Sequence, residues 1–346
     1  MKSLKASLMI VVATLTLGVS IAGAAPDVVI LKVAHFMPAN SNIQMNNLLP
    51  WCDKIGKESG GRLKCQIYPS MQLGGTPAQL FDQVRDGVAD IILTVPTYQA
   101  GRFLKSEVFE LPFMVNTGEK GSQAMWDFVQ KNSLDEFKGT KLIYTHVHDG
   151  SQMLFGSKSV KTLEDLKGAK VRAPTRIGAQ TLAALGAMPV QMPMPQVTEA
   201  ISKGVVDGAS LPWEITLAMK LQEICKTATE VGPGQKKHSN AIFVFAMNQK
   251  KYDSLPADLK KVIDNNSGRE VAKWVGKIWD DGAVASRKNF VDRKNTINTL
   301  SNAEYARWVK ATDKIDDAWI KEVNAKGGNG KALYDDAKAL LKKYND

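Results

Sequence analysis

Val84-Arg85-Asp86-Gly87-Val88-Ala89-Asp90 and Ile201-Ser202-Lys203-Gly204-Val205-Val206-Asp207 are one short pattern written twice. In each copy a helical run stops at a glycine, the residue that takes the left-handed backbone at a helix C-terminus without steric cost. A valine and an aspartate then lead into an apolar run, Ala89 to Val95 in the first copy and Val205 to Leu211 in the second. Short apolar runs bounded by turn residues read as buried strands. A helix–glycine–strand unit that recurs in matching surroundings predicts two lobes built alike, each with its own sheet. Two such lobes enclose a cleft, and ligands favour the carboxyl ends of strands and domain interfaces.

Around the first copy, Val28 to Ala34 reads as a strand and His35 to Asn40 as a loop. Asn40 or Ser41 caps a helix that runs towards Glu58 and has to kink or break at Pro50. Gly60-Gly61 turns into a second strand, Arg62 to Tyr68. After Gly74-Gly75, Thr76 is an N-cap with Pro77 at the first helical position. Around the second copy, Thr162-Leu163-Glu164-Asp165 resembles a capping box, Ala169 to Ala173 a strand, Thr175 to Leu185 a helix ending at Gly186, and Gln196 to Lys203 another helix. Alternating β and α is the pattern of a mostly parallel sheet. The tail differs. Pro256 to Phe290 reads as a long amphipathic helical stretch, with Trp274 and Trp279 as packing residues, followed by helices over Asn302 to Val323 and Lys331 to Tyr344. No low-complexity linker separates the lobes, so the chain crosses between them more than once.

The N-terminus points to export. Lys2 and Lys5 precede an apolar stretch, Leu8 to Ile21, and Ala22-Gly23-Ala24 fits a small-residue cleavage site. This is a signal peptide over residues 1–24, cleaved after Ala24, rather than an anchor. No later segment approaches the roughly 18 uninterrupted apolar residues of a spanning helix, so the mature chain does not cross the membrane. The net charge of +10 is spread along the chain, not gathered in a block. An exported protein rarely meets nucleic acid, so the charge reads as solubility and some attraction for anions. Cys52, Cys65 and Cys225 form no C-x-x-C pair. Export makes a Cys52–Cys65 disulfide possible, with two separate thiols as the alternative. Cys225 reads as a small buried hydrophobe.

A search for catalytic motifs finds no G-x-S-x-G, no phosphate loop and no H-E-x-x-H. His146 and His148 would share one face of a strand, with no third metal ligand evident. Neither a metal nor another cofactor is expected. The positive signal is Arg172, at the end of Lys170-Val171-Arg172-Ala173-Pro174 and at the mouth of the predicted cleft. A guanidinium fork there suits a carboxylate through paired charge-assisted hydrogen bonds. Position alone also admits a surface salt bridge.

Several stretches together resemble the solute-binding component of TRAP transporters, the DctP family, over almost the whole mature chain. They are Tyr68-Pro69-Ser70-Met71-Gln72-Leu73-Gly74-Gly75, Glu110-Leu111-Pro112-Phe113, the run Leu163 to Arg172, Leu185-Gly186-Ala187-Met188-Pro189-Val190, and Gly204-Val205-Val206-Asp207-Gly208. The resemblance implies an α/β, two-lobed, periplasmic-binding-protein-like (Venus flytrap) fold: mixed sheets flanked by helices, with a long helix spanning both lobes. It implies a periplasmic receptor that closes on a small organic acid and hands it to membrane permease subunits driven by an ion gradient. It also makes Arg172 the arginine that grips the ligand carboxylate. The expected lobes are 25–148 plus 238–276, and 149–237 plus 277–346.

Departures from familiar subgroups narrow the ligand. Sialic-acid-type members resemble this chain at Asp149-Gly150-Ser151-Gln152 but carry a second arginine where Gln152 stands and Asn where Leu211 stands. Metal-using keto-acid members show Glu-Trp in place of Ser210-Leu211. Loss of a second cation favours one carboxylate, and an apolar wall suits an aromatic or hydrophobic monocarboxylate. The expected wall is Phe36, Met153, Leu211 and Trp213, with His35, Thr94, Tyr98, His148 and Gln152 as polar contacts. A receptor for a C4-dicarboxylate or 2-oxo acid, and a secreted enzyme acting on a carboxylate in the same cleft, are the alternatives.

Overall fold

The computed structural model describes residues 27–345, and the signal peptide expected over 1–24 lies outside them. The described strands form two mixed sheets. The first contains β1 (Val29–His35), β2 (Leu63–Tyr68), β3 (Ile91–Thr94), β4 (Thr140–Val147) and β10 (Ile242–Asn248), in the order β2-β1-β3-β10-β4. The second contains β5 (Ser151–Phe155), β6 (Lys170–Ala173), β7 (Met188–Gln191), β8 (Gly208–Pro212), β9 (Thr227–Glu230) and β11 (Thr296–Thr299), in the order β11-β9-β5-β8-β6-β7. Helical crossovers make β1 parallel to β2 and β3, and β6 parallel to β7 and β8. Strands β10 and β5 each follow a crossing from the other sheet and run antiparallel to their neighbours, so both sheets are mixed: the first has as many antiparallel pairings as parallel ones, and the second keeps a parallel majority.

The repeated sequence pattern has one physical basis in both lobes. Asp90 Oδ2 accepts from Lys32 N at 2.8 Å, and Asp90 N donates to Lys32 O at 3.0 Å. Asp207 does the same with Lys170, at 2.8 Å for both bonds. Each aspartate clamps its turn to the neighbouring parallel strand. Gly87 and Gly204 supply the positive φ, +83° and +69°, that ends the preceding helix.

Three local expectations need correction. The helix reaching Glu58 does not break at Pro50. A π-helical turn, Gln44–Leu48, precedes the α-helical Leu49–Glu58, whose first turn holds the proline. The wider winding accommodates a ring that has no N–H to donate. The stretch after Pro256 divides into Ala257–Asn265 and Arg269–Asp292, separated at Gly268 with φ +102°. Trp279 in the second of these is buried, but Trp274 is exposed. The stretch from Asn302 divides at Thr312 into Asn302–Ala311 and Asp313–Ala325.

The helix Arg269–Asp292 spans both lobes. On the first, it meets the helix Gly118–Phe128 so closely that a Cβ on Gly276 would stand 2.2 Å from Gly118 O. There Asp280 accepts from Gly118 N (2.7 Å) and Glu119 N (2.9 Å), capping that helix from outside. On the second, Ser286 Oγ donates to Glu214 O at 3.1 Å and Phe290 packs edge-on against Trp213. The final helix, Gly330–Asn345, was expected with the second lobe. It lies instead against the helix Gly118–Phe128, where Lys343 and Tyr344 reach Asp127. Cys52 and Cys65 are joined as a disulfide, which resolves the alternative left open above. Cys225 is buried, and desolvation pushes its thiol up to about 12, so it stays protonated and unreactive.

Burial also sets protonation states, in two opposing groups. Desolvation lowers His35 to about 4 and His146, His148 and His238 to about 3. The unfolded chain binds these protons below about 6.5 and the folded one refuses them, so stability falls as pH drops from there. Desolvation raises Glu110 and Glu214 to about 8 and Glu136 to about 7. The folded chain keeps these protons while the unfolded one releases them above about 4.3, so stability falls as pH rises towards 8. Melting temperature followed from pH 4 to 9 should peak between the two limits, and Glu110→Gln should flatten the alkaline limb. A melting temperature still climbing at pH 8 would contradict this. Gly276→Ala should cost roughly 1–3 kcal/mol in urea unfolding, because its methyl group has only backbone to push against.

Candidate functional site

Arg172 stands near the carboxyl end of β6, an interior strand covered on both sides, and is only 1 % exposed. Its Nε donates to Met192 O at 2.9 Å and its Nη1 to Ser210 O at 3.0 Å. These carbonyls fix the plane of the guanidinium without neutralising it. Nη2 is buried and has no hydrogen-bond partner, and among the described residues no carboxylate lies within ion-pairing distance of Arg172. Burial pulls its pKa below the ordinary arginine value, partly offset by the adjacent Tyr98 hydroxyl. Burial likewise raises Tyr98. An uncompensated buried cation costs several kcal/mol, a cost that an anion placed against it would offset.

A narrow cavity of about 20 Å³ adjoins this guanidinium, well below the size of a site that holds a whole small molecule, so a ligand enters only as the walls part. Its first-lobe wall is aromatic. Phe36 stacks with Phe243 (centroids 6.4 Å apart, 18° between planes) and meets Tyr98 edge-on at 5.6 Å. Trp279 of the long helix tilts against Phe243 at 5.3 Å. Leu211, Ile215 and Met194 close it from the second lobe. Of the residues expected from sequence, Arg172, Phe36, Tyr98, His148 and Leu211 come together here.

The other five do not. His35 is one residue from Phe36, but its Nε2 bonds Gln44 Oε1 at 2.9 Å and it faces away from the cavity. The Thr94 hydroxyl donates to Pro77 O at 3.2 Å, leaving its neighbour Val95 to line the cavity. Met153 packs in a separate apolar cluster with Val171 and Leu182. Gln152 and Trp213 border an outer groove with Asp149 and Lys237, and Trp213 Nε1 donates to Glu230 at 3.1 Å. Neighbours on an extended chain point to opposite sides, so a one-residue error changes a wall residue into a core residue. Phe243, Trp279, Ser151 and Met194 escaped the sequence reading. Phe243 lies in a strand buried along its whole length, and Trp279 on the apolar face of an amphipathic helix, where core and cavity positions look alike.

The buried histidines are uncharged, and His148 is the one that lines the cavity. Gly150 N and Ala241 N approach His148 Nδ1 and Nε2 at 2.9 and 3.0 Å; a neutral ring accepts from one of these two donors, and an imidazolium, all donor, accepts from neither. Desolvation first, then Arg172 and His238, keep it neutral. His146 stacks on Phe243 at 4.8 Å with neither ring nitrogen bonded. Ser210 Oγ lies 3.0 Å from His238 Nε2, yet burial lowers that histidine to about 3 and no carboxylate orients it among the described residues. Nor do the described residues contain a group of three or more His, Cys, Asp or Glu placed to hold a metal.

Comparison with known proteins gives a consistent picture. The model of bacterial extracellular solute-binding protein family 7, DctP, matches residues 33–322. A TRAP solute binding protein from Rhodoferax ferrireducens, in complex with copurified benzoate, is 44 % identical, with a TM-score of 0.90 over 92 % of this chain and 98 % of its own. A marine metagenome TRAP solute binding protein specific for aromatic acid ligands, with co-crystallized 3-hydroxybenzoate, is 42 % identical, with a TM-score of 0.90 over 92 % and 100 %. One from Bordetella bronchiseptica with bound (R)- and (S)-mandelate is 30 % identical, with a TM-score of 0.84 over 91 % and 99 %.

Proposed function

Because this chain belongs to the DctP family of bacterial extracellular solute-binding proteins, we propose that it is the periplasmic receptor of a TRAP-type transporter and captures a small aromatic monocarboxylate. The single observation that carries the ligand class is the buried Arg172 guanidinium, unpaired and facing an aromatic cavity. A carboxylate docked on it supplies the missing charge, and the ring behind it replaces water with apolar contact. The benzoate, 3-hydroxybenzoate and mandelate held by the three similar receptors support this reading. Tyr98, Phe36, His148 and Leu211 complete the proposed contacts.

The mechanism follows from the walls. Aromatic residues of the first lobe and the arginine of the second meet on opposite sides of one ligand. Only the closed arrangement makes both sets of contacts, so ligand favours closure by their difference. The proposed lobes are 27–148 with 238–276 and 149–237 with 277–346, the long helix crossing both and the final helix packing against the first. The closed form then docks on the membrane permease. The leader, residues 1–24, directs export, and no helix among the described residues is long and apolar enough to cross a membrane.

A dicarboxylate fits less well, because no second cation lines the cavity to receive its other charge. The hydroxyl of Ser210, which lines the cavity, has His238 beside it, and a histidine lowered to about 3 is a poor base at neutral pH. The receptor therefore binds without turning its ligand over.

Calorimetry with benzoate tests the assignment. Arg172→Ala should weaken binding at least about 100-fold, two charge-assisted hydrogen bonds being lost. Arg172→Lys keeps the charge but not the fork and should still lose about tenfold. Undiminished affinity in Arg172→Ala would overturn the carboxylate site.

A further inference from the structure

Two residues that line the cavity each carry a buried polar atom that the protein leaves unsatisfied. Ser151 Oγ and Trp279 Nε1 are both buried, both residues line the cavity, and neither atom has a hydrogen-bond partner. Folded proteins pair nearly all such groups, and each one left unpaired costs free energy. These two belong to a different part of the wall from the arginine. Ser151 opens β5, pairs with Pro212 and donates its backbone N–H to Ser239 O at 2.9 Å. Arg172 pairs with Ala209, two strands across and three residues along β8. Trp279 approaches from the long helix, against His148 at 5.8 Å and Phe243 at 5.3 Å.

Their chemistry restricts what can satisfy them. An indole N–H only donates, and a serine hydroxyl both donates and accepts. A plain hydrocarbon ring answers neither. A second carboxylate would need a second cation, and Arg172 is the one lysine or arginine among the residues that line the cavity. An ammonium group cannot accept from Trp279. A hydroxyl accepts from one donor and gives its own proton to an oxygen. Resting on the carboxylate reading above, we propose that the site selects hydroxylated aromatic monocarboxylates. Arg172 holds the acid group, and Ser151, with Trp279, recognises the hydroxyl.

Calorimetric titration of the mature receptor with benzoate, the three ring-hydroxylated benzoates and mandelate tests this. At least one hydroxylated acid should bind about tenfold tighter than benzoate, as expected when buried hydrogen-bonding groups meet a partner. In Ser151→Ala that ratio should fall close to one. The ratio is read within each protein, so any general loss of affinity cancels. Trp279→Phe, which keeps an aromatic ring but removes the N–H, should lower the ratio as well. Benzoate binding as tightly as every hydroxylated acid would overturn this proposal alone, as would a preference that survives Ser151→Ala. Failure of all the acids, benzoate included, would overturn the carboxylate reading and this proposal with it.

Discussion

A cation kept out of water without a counter-charge is the constraint around which this structure is arranged. Arg172 is held by two backbone carbonyls, Met192 O and Ser210 O, which orient it but contribute only partial charge. A carboxylate side chain in their place would neutralise the guanidinium and close the site to ligands. Positioning by carbonyls leaves the charge available and the geometry set. The aromatic wall has the complementary role. Phe36, Tyr98, Phe243 and Trp279 exclude water from the side the arginine faces, which strengthens any ion pair formed there.

That arrangement requires the two lobes to meet in register, and three features provide it. The chain crosses at His148 to Ser151 and returns at Ser239 to Ala241, and these segments are bonded to each other through Ser151 N to Ser239 O and His148 N to Asn240 Oδ1. The long helix lies across both lobes and is seated on the first by glycine-to-glycine contact at Gly118 and Gly276. Arg176, four residues after Arg172, makes a forked ion pair with the fully buried Glu107 of the first lobe and a second with Glu322. Apolar residues of both lobes also share one buried cluster, Phe36 and Phe243 with Leu211 and Ile215 among them, so opening the cleft parts apolar surface as well as these polar contacts. Ligand moves such an equilibrium only by its differential affinity for the closed form.

Much of the fold was legible from local signals. The helix-ending glycines, the Thr76 and Thr162 caps and the repeated Gly-Val-x-Asp turn act through the backbone within a few residues, so sequence reports them directly. Pro50 shows where local reasoning fails. The prohibition on a donor is real, but a π-turn upstream absorbs it, and only the packing of Trp51 and Ile55 beneath says that the helix continues. Sequence also could not separate Trp274 from Trp279, because both sit in the same amphipathic run and differ only in which neighbour covers them.

By itself the sequence determined the class of the molecule: two α/β lobes, and one arginine at a strand end suited to a carboxylate. These rest on periodicity, capping and composition, which are properties of neighbouring residues. Tertiary structure alone decided that Arg172 has no internal partner, that His35 turns away while Phe36 turns in, and that Trp279 and Phe243 join a wall with residues more than 60 positions away. It alone decided that Ser151 Oγ and Trp279 Nε1 go unsatisfied. Whether a polar atom has a partner, and whether an apolar side chain meets a core or a cavity, depends on chain segments brought together only by folding. No local pattern encodes either.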